Sequence, residues 1–150
     1  MSKIEKILAT GQSHTTLSSS GTTSRGHNGK LDIALSTPGA AQPAHVFAAT
    51  QPHPTAEQLF AGAWSACYIA ALGLAAKALK VTIPADVSVD IEIDLGQSDS
   101  GYLLQAGFNV HLPGLCHEVA SAIAHAADQM CPYSKATRGN IDVYFNVQTS

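Results

Sequence analysis

Charge is scarce in this chain: Asp, Glu, Lys and Arg make up only 13% of its 150 residues. Eight Lys plus Arg, spread along the sequence without a stripe, are too few to neutralise a run of phosphates, so no nucleic acid partner is expected. Cysteine is sparse as well. Three of them, an odd number, fit a reducing cytoplasm better than a disulfide scaffold. The opening residues carry Lys3, Glu5 and Lys6 and lead into no apolar h-region, so a secretory signal is not expected. No HExxH or CxxC pairing occurs, and no GxSxG, Walker or GxGxxG element either. Zinc, hydrolase, nucleotide and dinucleotide chemistry are left without a motif, and no metal or other cofactor is expected.

Apolar residues, by contrast, are abundant. They form 45% of the chain, too many for disorder and unusually many for the surface of a solvated monomer, so an oligomer interface is expected to absorb some of them. At 15.5 kDa, residues 1–150 are expected to form one domain around one core. Residues 59–76 hold no charge and are long enough to raise the question of a membrane span. Leu59, Phe60, Ile69, Leu72 and Leu74 supply the bulk there and Ala, Gly and Ser most of the rest. Strands elsewhere need their apolar faces covered, so this stretch is read as a buried central helix and no membrane association is expected.

The local signals place the elements. Residues 15–24, dominated by Ser, Thr and Gly, read as strand, loop or both. Residues 31–36 alternate as a short strand stopped by Pro38-Gly39, and 39–54, with Pro43, Pro52 and Pro54, form a long irregular connection. Thr55-Ala56-Glu57-Gln58 is a capping box that opens a helix of about two dozen residues. Glu57 stands in its first turn, and Lys77 and Lys80 mark its end. Val87, Val89, Ile91, Ile93 and Leu95 alternate with Asp86, Ser88, Asp90, Glu92 and Asp94, which predicts a strand with one core face and one wet, acidic face. A turn at 97–101 leads into a second strand over 102–112, so a hairpin is expected. Leu115, Val119, Ala122, Ile123, Ala126 and Met130 share one face of a second helix, which Pro132 stops just after Cys131. Ile141, Val143, Phe145 and Val147 alternate as a last strand. The expected class is α+β with a largely antiparallel sheet.

Cys67 lies inside the uncharged helix. Position alone reads as a small core residue, because burial raises a thiol's pKa and a mid-helix site gains nothing from the helix dipole. To act as a nucleophile it needs a cation held against it, and the candidates are Arg25, Arg138 and the lysines. Cys131, at a helix end, is poorly placed for a primary attacker and better suited to meeting an oxidised sulfur. Cys116 opens the second helix beside His117. Phe60 and Trp64 share helical spacing with Cys67, as substrate lining or as plain core.

The segments Glu57-Gln58-Leu59-Phe60-Ala61-Gly62-Ala63-Trp64-Ser65-Ala66-Cys67 and Cys131-Pro132-Tyr133-Ser134-Lys135-Ala136-Thr137-Arg138-Gly139-Asn140-Ile141-Asp142-Val143 resemble the signature blocks of the OsmC/Ohr family, nearest its organic hydroperoxide resistance branch. The segments at 31–38 and Leu112-Pro113-Gly114-Leu115 support this in the expected order. The resemblance implies an OsmC-like fold in which antiparallel sheets wrap around long central helices in an intertwined homodimer. It also implies two active sites at the subunit interface and a thiol peroxidase without haem, flavin or metal. Cys67 would be the peroxidatic thiol, Cys131 the resolving one, and Glu57 the carboxylate that orients an arginine beside the thiolate. A dithiol reductant, a lipoylated protein, would reopen the disulfide. One departure concerns the cation: the family's arginine register falls on Ser20, which leaves Arg25 from a shifted loop, Arg138, or a slow enzyme. The competing reading is a small hydrophobic-ligand-binding protein on the same scaffold with weak or lost peroxidase activity.

Overall fold

A computed structural model of the chain describes residues 2–16 and 55–150. The elements run β1 (Lys6–Thr16), α1 (Ala56–Ala78), β2 (Ser88–Ser98), β3 (Gly101–His111), α2 (His117–Met130), α3 (Pro132–Thr137) and β4 (Asp142–Gln148). The strands form one sheet in the order β1-β2-β3-β4. Its first two pairings are antiparallel, as expected for the α+β class. β4 lies parallel to β3, because α2 and α3 carry the chain back along the sheet before it re-enters. The expected hairpin is present, with Ser98 opposite Gly101 and a two-residue turn between them. Gly101 sits at φ 109°, a backbone conformation that side-chain-bearing residues rarely adopt.

The capping box at the start of α1 is formed in both directions. Gln58 N donates to Thr55 Oγ1 at 3.2 Å, and Thr55 N donates to Gln58 Oε1 at 3.0 Å. From there α1 crosses the inner face of the sheet, where Val89, Ile91 and Ile93 of β2 and Ala106, Phe108 and Val110 of β3 are fully buried with Tyr68 and Leu72. Trp64 and Tyr68 each meet the Phe108 ring edge-on at a centroid distance of 5.0 Å. Burying each large apolar side chain of this kind contributes roughly 1.5–3 kcal/mol, so the layer between α1 and the sheet is the core. By length and composition α1 could cross a membrane, and half of its apolar stretch is buried within the fold.

Three expectations need correction. The helix was expected to be wrapped on most sides, yet Ala63, Ala66, Ala70 and Leu74 form an exposed apolar stripe along α1, with Leu74 62% exposed. The face of α2 is rotated: Ala120, Ile123, Ala124 and Ala127 are buried, whereas Ala122 and Met130 are exposed. Alanines let α2 approach α1 closely, and Tyr68 Oη donates to Ala124 O at 2.8 Å, which fixes that face. The outer face of β2 is not wholly wet, because Asp94 is buried beneath hydrogen bonds from Thr10 Oγ1 and from Gln105 Nε2, the latter at 2.8 Å.

Hydropathy does not signal β1. Its inward positions are Ala9, Gly11, Ser13 and Thr15, all small or polar. They pack directly on the start of α1: a Cβ on Gly11 would lie 2.4 Å from Gln58 N and 2.5 Å from Glu57 C. Ser65 Oγ, facing them from α1, meets Thr15 Oγ1 at 2.6 Å and Ser13 Oγ at 3.2 Å. The expected strand at 31–36, the connection at 39–54 and residues 17–24 lie outside the described residues.

Candidate functional site

Cys131 is both the C-cap of α2 and the N-cap of α3. Pro132 dictates this double role, since it has no N–H with which to continue α2 and its fixed φ suits the first position of a new helix. The resulting bend turns Cys131 toward the middle of α1. Its Sγ lies 3.1 Å from Cys67 Sγ, and both thiols are free. They differ in access: Cys131 is 0% exposed, whereas Cys67 is partly open. Closing that gap to a disulfide bond requires a movement of only about 1 Å, so the pair can pass between dithiol and disulfide within the existing fold.

Burial pushes the Cys67 thiol up, and its hydrogen bond with Cys131 pushes it further. The backbone N–H of Tyr133 opposes both, and the net direction is upward. Sequence reasoning missed this amide. The one available signal was Pro132 at the start of a helix, because the first amides of a helix have no partner within it. The Tyr68 hydroxyl beside the site is also pushed up, first by burial and then by the charges of Asp128 and Cys131.

Arg138 is committed elsewhere. Its Nη2 donates to Asp128 Oδ2 at 2.7 Å and to Asp128 O at 3.0 Å, pinning the end of α3 to α2. Arg25 and Ser20 lie outside the described residues. Glu57 is buried, 7% exposed, and its Oε2 has no hydrogen-bond partner among the described residues. It stands ten positions before Cys67 on the same helix, a separation of about 15 Å along the axis. A single copy of the chain therefore brings Cys67 and Cys131 together and leaves Glu57 apart from both.

Phe60 is half-buried and meets Trp64 edge-on at 5.6 Å. Trp64 itself is 1% exposed, with its indole Nε1 donating to Ser134 Oγ at 3.1 Å. Cys116 is exposed at the cap of α2, and its side chain makes no capping hydrogen bond. No group of three His, Cys, Asp or Glu side chains among the described residues is arranged to hold a metal. A polar cleft of about 530 Å³ is lined by Gln12, His14, Asp90, Glu92 and Asn109 among others, and includes neither cysteine of the pair.

Comparison with known proteins places this arrangement in a family. Residues 49–146 match the model of the family described as OsmC-like protein. The organic hydroperoxide resistance protein of Xanthomonas axonopodis pv. citri is 39% identical over 87 residues, 58% of this chain and 61% of that protein. The first curated relatives are thus matched over about three fifths of their length. The organic hydroperoxide resistance protein OhrA of Bacillus subtilis is 36% identical over 79% of each chain. Among solved structures, that of an organic hydroperoxide resistance protein from Elizabethkingia anophelis, with thiocyanate from the crystallisation bound, superposes with a TM-score of 0.68 at 27% identity, covering 98% of this chain and 100% of that one. Family match, relatives and fold agree with the two cysteine-bearing segments: this chain belongs to the OsmC/Ohr family, in its organic hydroperoxide resistance branch.

Proposed function

We propose that this protein is a cysteine-based peroxidase that reduces organic hydroperoxides to alcohols in the cytoplasm. The observation that carries the reading is the 3.1 Å contact between a partly open Cys67 sulfur and a fully enclosed Cys131 sulfur. The Cys67 thiolate attacks the terminal oxygen of the hydroperoxide; the O–O bond breaks, the alcohol leaves with a proton, and Cys67 becomes a sulfenic acid. The Cys131 sulfur then attacks Cys67, the S–O bond breaks, and water leaves as the disulfide forms. A dithiol reductant, of the kind a lipoylated partner protein carries, returns the pair to thiols. The names of the relatives support the substrate class.

The upward push on the Cys67 thiol makes a cation necessary, and Arg25 is the residue proposed for it, given the engagement of Arg138 with Asp128. Glu57 is proposed to orient that guanidinium. Its buried, unpartnered Oε2 suits the role, and its distance of about 15 Å along α1 requires the carboxylate to come from a second copy. The exposed stripe on α1 suits a homodimer in which two such helices meet. Phe60 is proposed to line the alkyl subsite, with Trp64 behind it.

Thiol titration with one equivalent of cumene hydroperoxide tests the reading. Two of the three thiols are expected to disappear, and Cys131→Ser is expected to leave a sulfenic acid on Cys67. A protein that keeps all its thiols and binds the intact hydroperoxide would instead be a ligand-binding member of the family.

A further inference from the structure

The two cysteines are flanked by a second contact that the chemistry above does not use. Trp64 stands one helical turn before Cys67 on α1, and Ser134 stands one turn after Cys131 on α3. The indole N–H of Trp64 donates to Ser134 Oγ at 3.1 Å, and both side chains are almost wholly buried, at 1% and 2% exposure. Thr137 Oγ1 braces the same turn from its far end, donating to Tyr133 O at 2.9 Å and lying 3.2 Å from Ser134 O. α3 has six residues and Pro132 at its start, too short to hold its own shape without tertiary contacts. The Trp64 ring is itself fixed between Phe60 and Phe108, at 5.6 and 5.0 Å.

We propose that Ser134 is a positioning residue for disulfide closure, holding Cys131 against Cys67 through its hydrogen bond to Trp64. The proposal rests on the peroxidase reading. The step it governs is the attack of Cys131 Sγ on the Cys67 sulfenic sulfur, in which the S–S bond forms, the S–O bond breaks, and the hydroxyl leaves as water with the Cys131 proton. Attack of Cys67 on the peroxide involves neither Ser134 nor the indole N–H. A merely structural hydrogen bond would affect both steps alike; a positioning one affects the second alone.

Single-turnover kinetics separate the two steps. Reduced full-length protein is mixed with one equivalent of cumene hydroperoxide. Hydroperoxide loss, dimedone-trapped Cys67 sulfenic acid and the Cys67 to Cys131 disulfide are each followed by rapid quench and mass spectrometry. Trp64, the chain's single tryptophan, adds an emission signal for closure. For Ser134→Ala, hydroperoxide loss is expected to stay within twofold of wild type while disulfide appearance slows by about tenfold and trapped sulfenic acid accumulates. Ser134→Thr keeps the hydroxyl at a position that borders a cleft of about 210 Å³, so it is expected to restore closure. Trp64→Phe is expected to slow disulfide appearance as Ser134→Ala does, and closure in the double variant to be no slower than in either alone. Equal slowing of both steps, unchanged closure in Ser134→Ala, or additive defects in the double variant would overturn the positioning role. A wild-type protein that forms no disulfide would remove the peroxidase reading itself.

Discussion

Cys131 Sγ touches Cys67 Sγ at 3.1 Å across 64 positions of sequence, and only Cys67 is open to solvent. In the disulfide state that asymmetry decides which sulfur a reductant can reach. An incoming thiolate is expected to attack Cys67 and expel Cys131 as the leaving thiolate, because Cys131 has no accessible surface. Oxidised protein treated with excess N-acetylcysteine and quenched in acid is expected to carry the adduct on Cys67 in peptide mapping. An adduct found on Cys131 would reverse the direction of exchange.

The position of Glu57 predicts complementation between copies. Ten helical positions separate it from Cys67, so Glu57→Ala and Cys67→Ser proteins should each be inactive alone. Refolded together in equal amounts, they are expected to recover about a quarter of wild-type turnover, because half of the dimers would hold one intact site out of two. Zero recovery, with mixed dimers demonstrated by native mass spectrometry, would place the carboxylate and the thiol in the same subunit.

Burial and Cys131 together raise the Cys67 thiol, so its thiolate fraction grows with pH and any cation must work against that direction. Arg25→Ala is expected to move the midpoint of Cys67 alkylation by iodoacetamide to higher pH, and to slow hydroperoxide reduction most strongly near neutrality. The same raised pKa has a stability consequence in that variant. The folded state holds the proton more tightly than the unfolded one, so the contribution is complete below the ordinary thiol value of about 8.5 and is lost as pH rises through the folded value. An identical alkylation profile with and without Arg25 would assign the cation elsewhere.

Gly11 predicts how tightly β1 and α1 are coupled. A methyl group there would fall 2.4 Å from Gln58 N and 2.5 Å from Glu57 C, both backbone atoms that cannot step aside. Gly11→Ala is expected to destabilise the fold by about 1–3 kcal/mol or more, read as a lower urea midpoint. It is also expected to lower turnover, because the displaced turn carries Glu57. A variant as stable as wild type would show that β1 and α1 can separate without loss.

Much of this molecule is legible in the chain. Thr55 and Gln58 announce the start of α1 because a capping box is a local device, and the alternation from Val87 to Leu95 announces β2 because each side chain repeats the same choice of face. The cysteine-bearing segments at 57–67 and 131–143 carry the family resemblance by themselves. β1 was not legible, since its inward residues are glycine, alanine, serine and threonine, chosen for close approach to α1 and not for hydropathy. Nor was the true face of α2, where alanines dominate and periodicity gives no strong preference between neighbouring stripes.

The sequence by itself determined α1, α2, the hairpin, the last strand, the class and the two thiols worth attention, because caps, alternation and proline stops act within a few residues of where they are written. Tertiary structure alone decided that Pro132 bends Cys131 onto Cys67 and that the Tyr133 amide counters the upward push on the Cys67 thiol. Those relationships join residues tens of positions apart, and only the packing of α1 against α2 and α3 sets their distances.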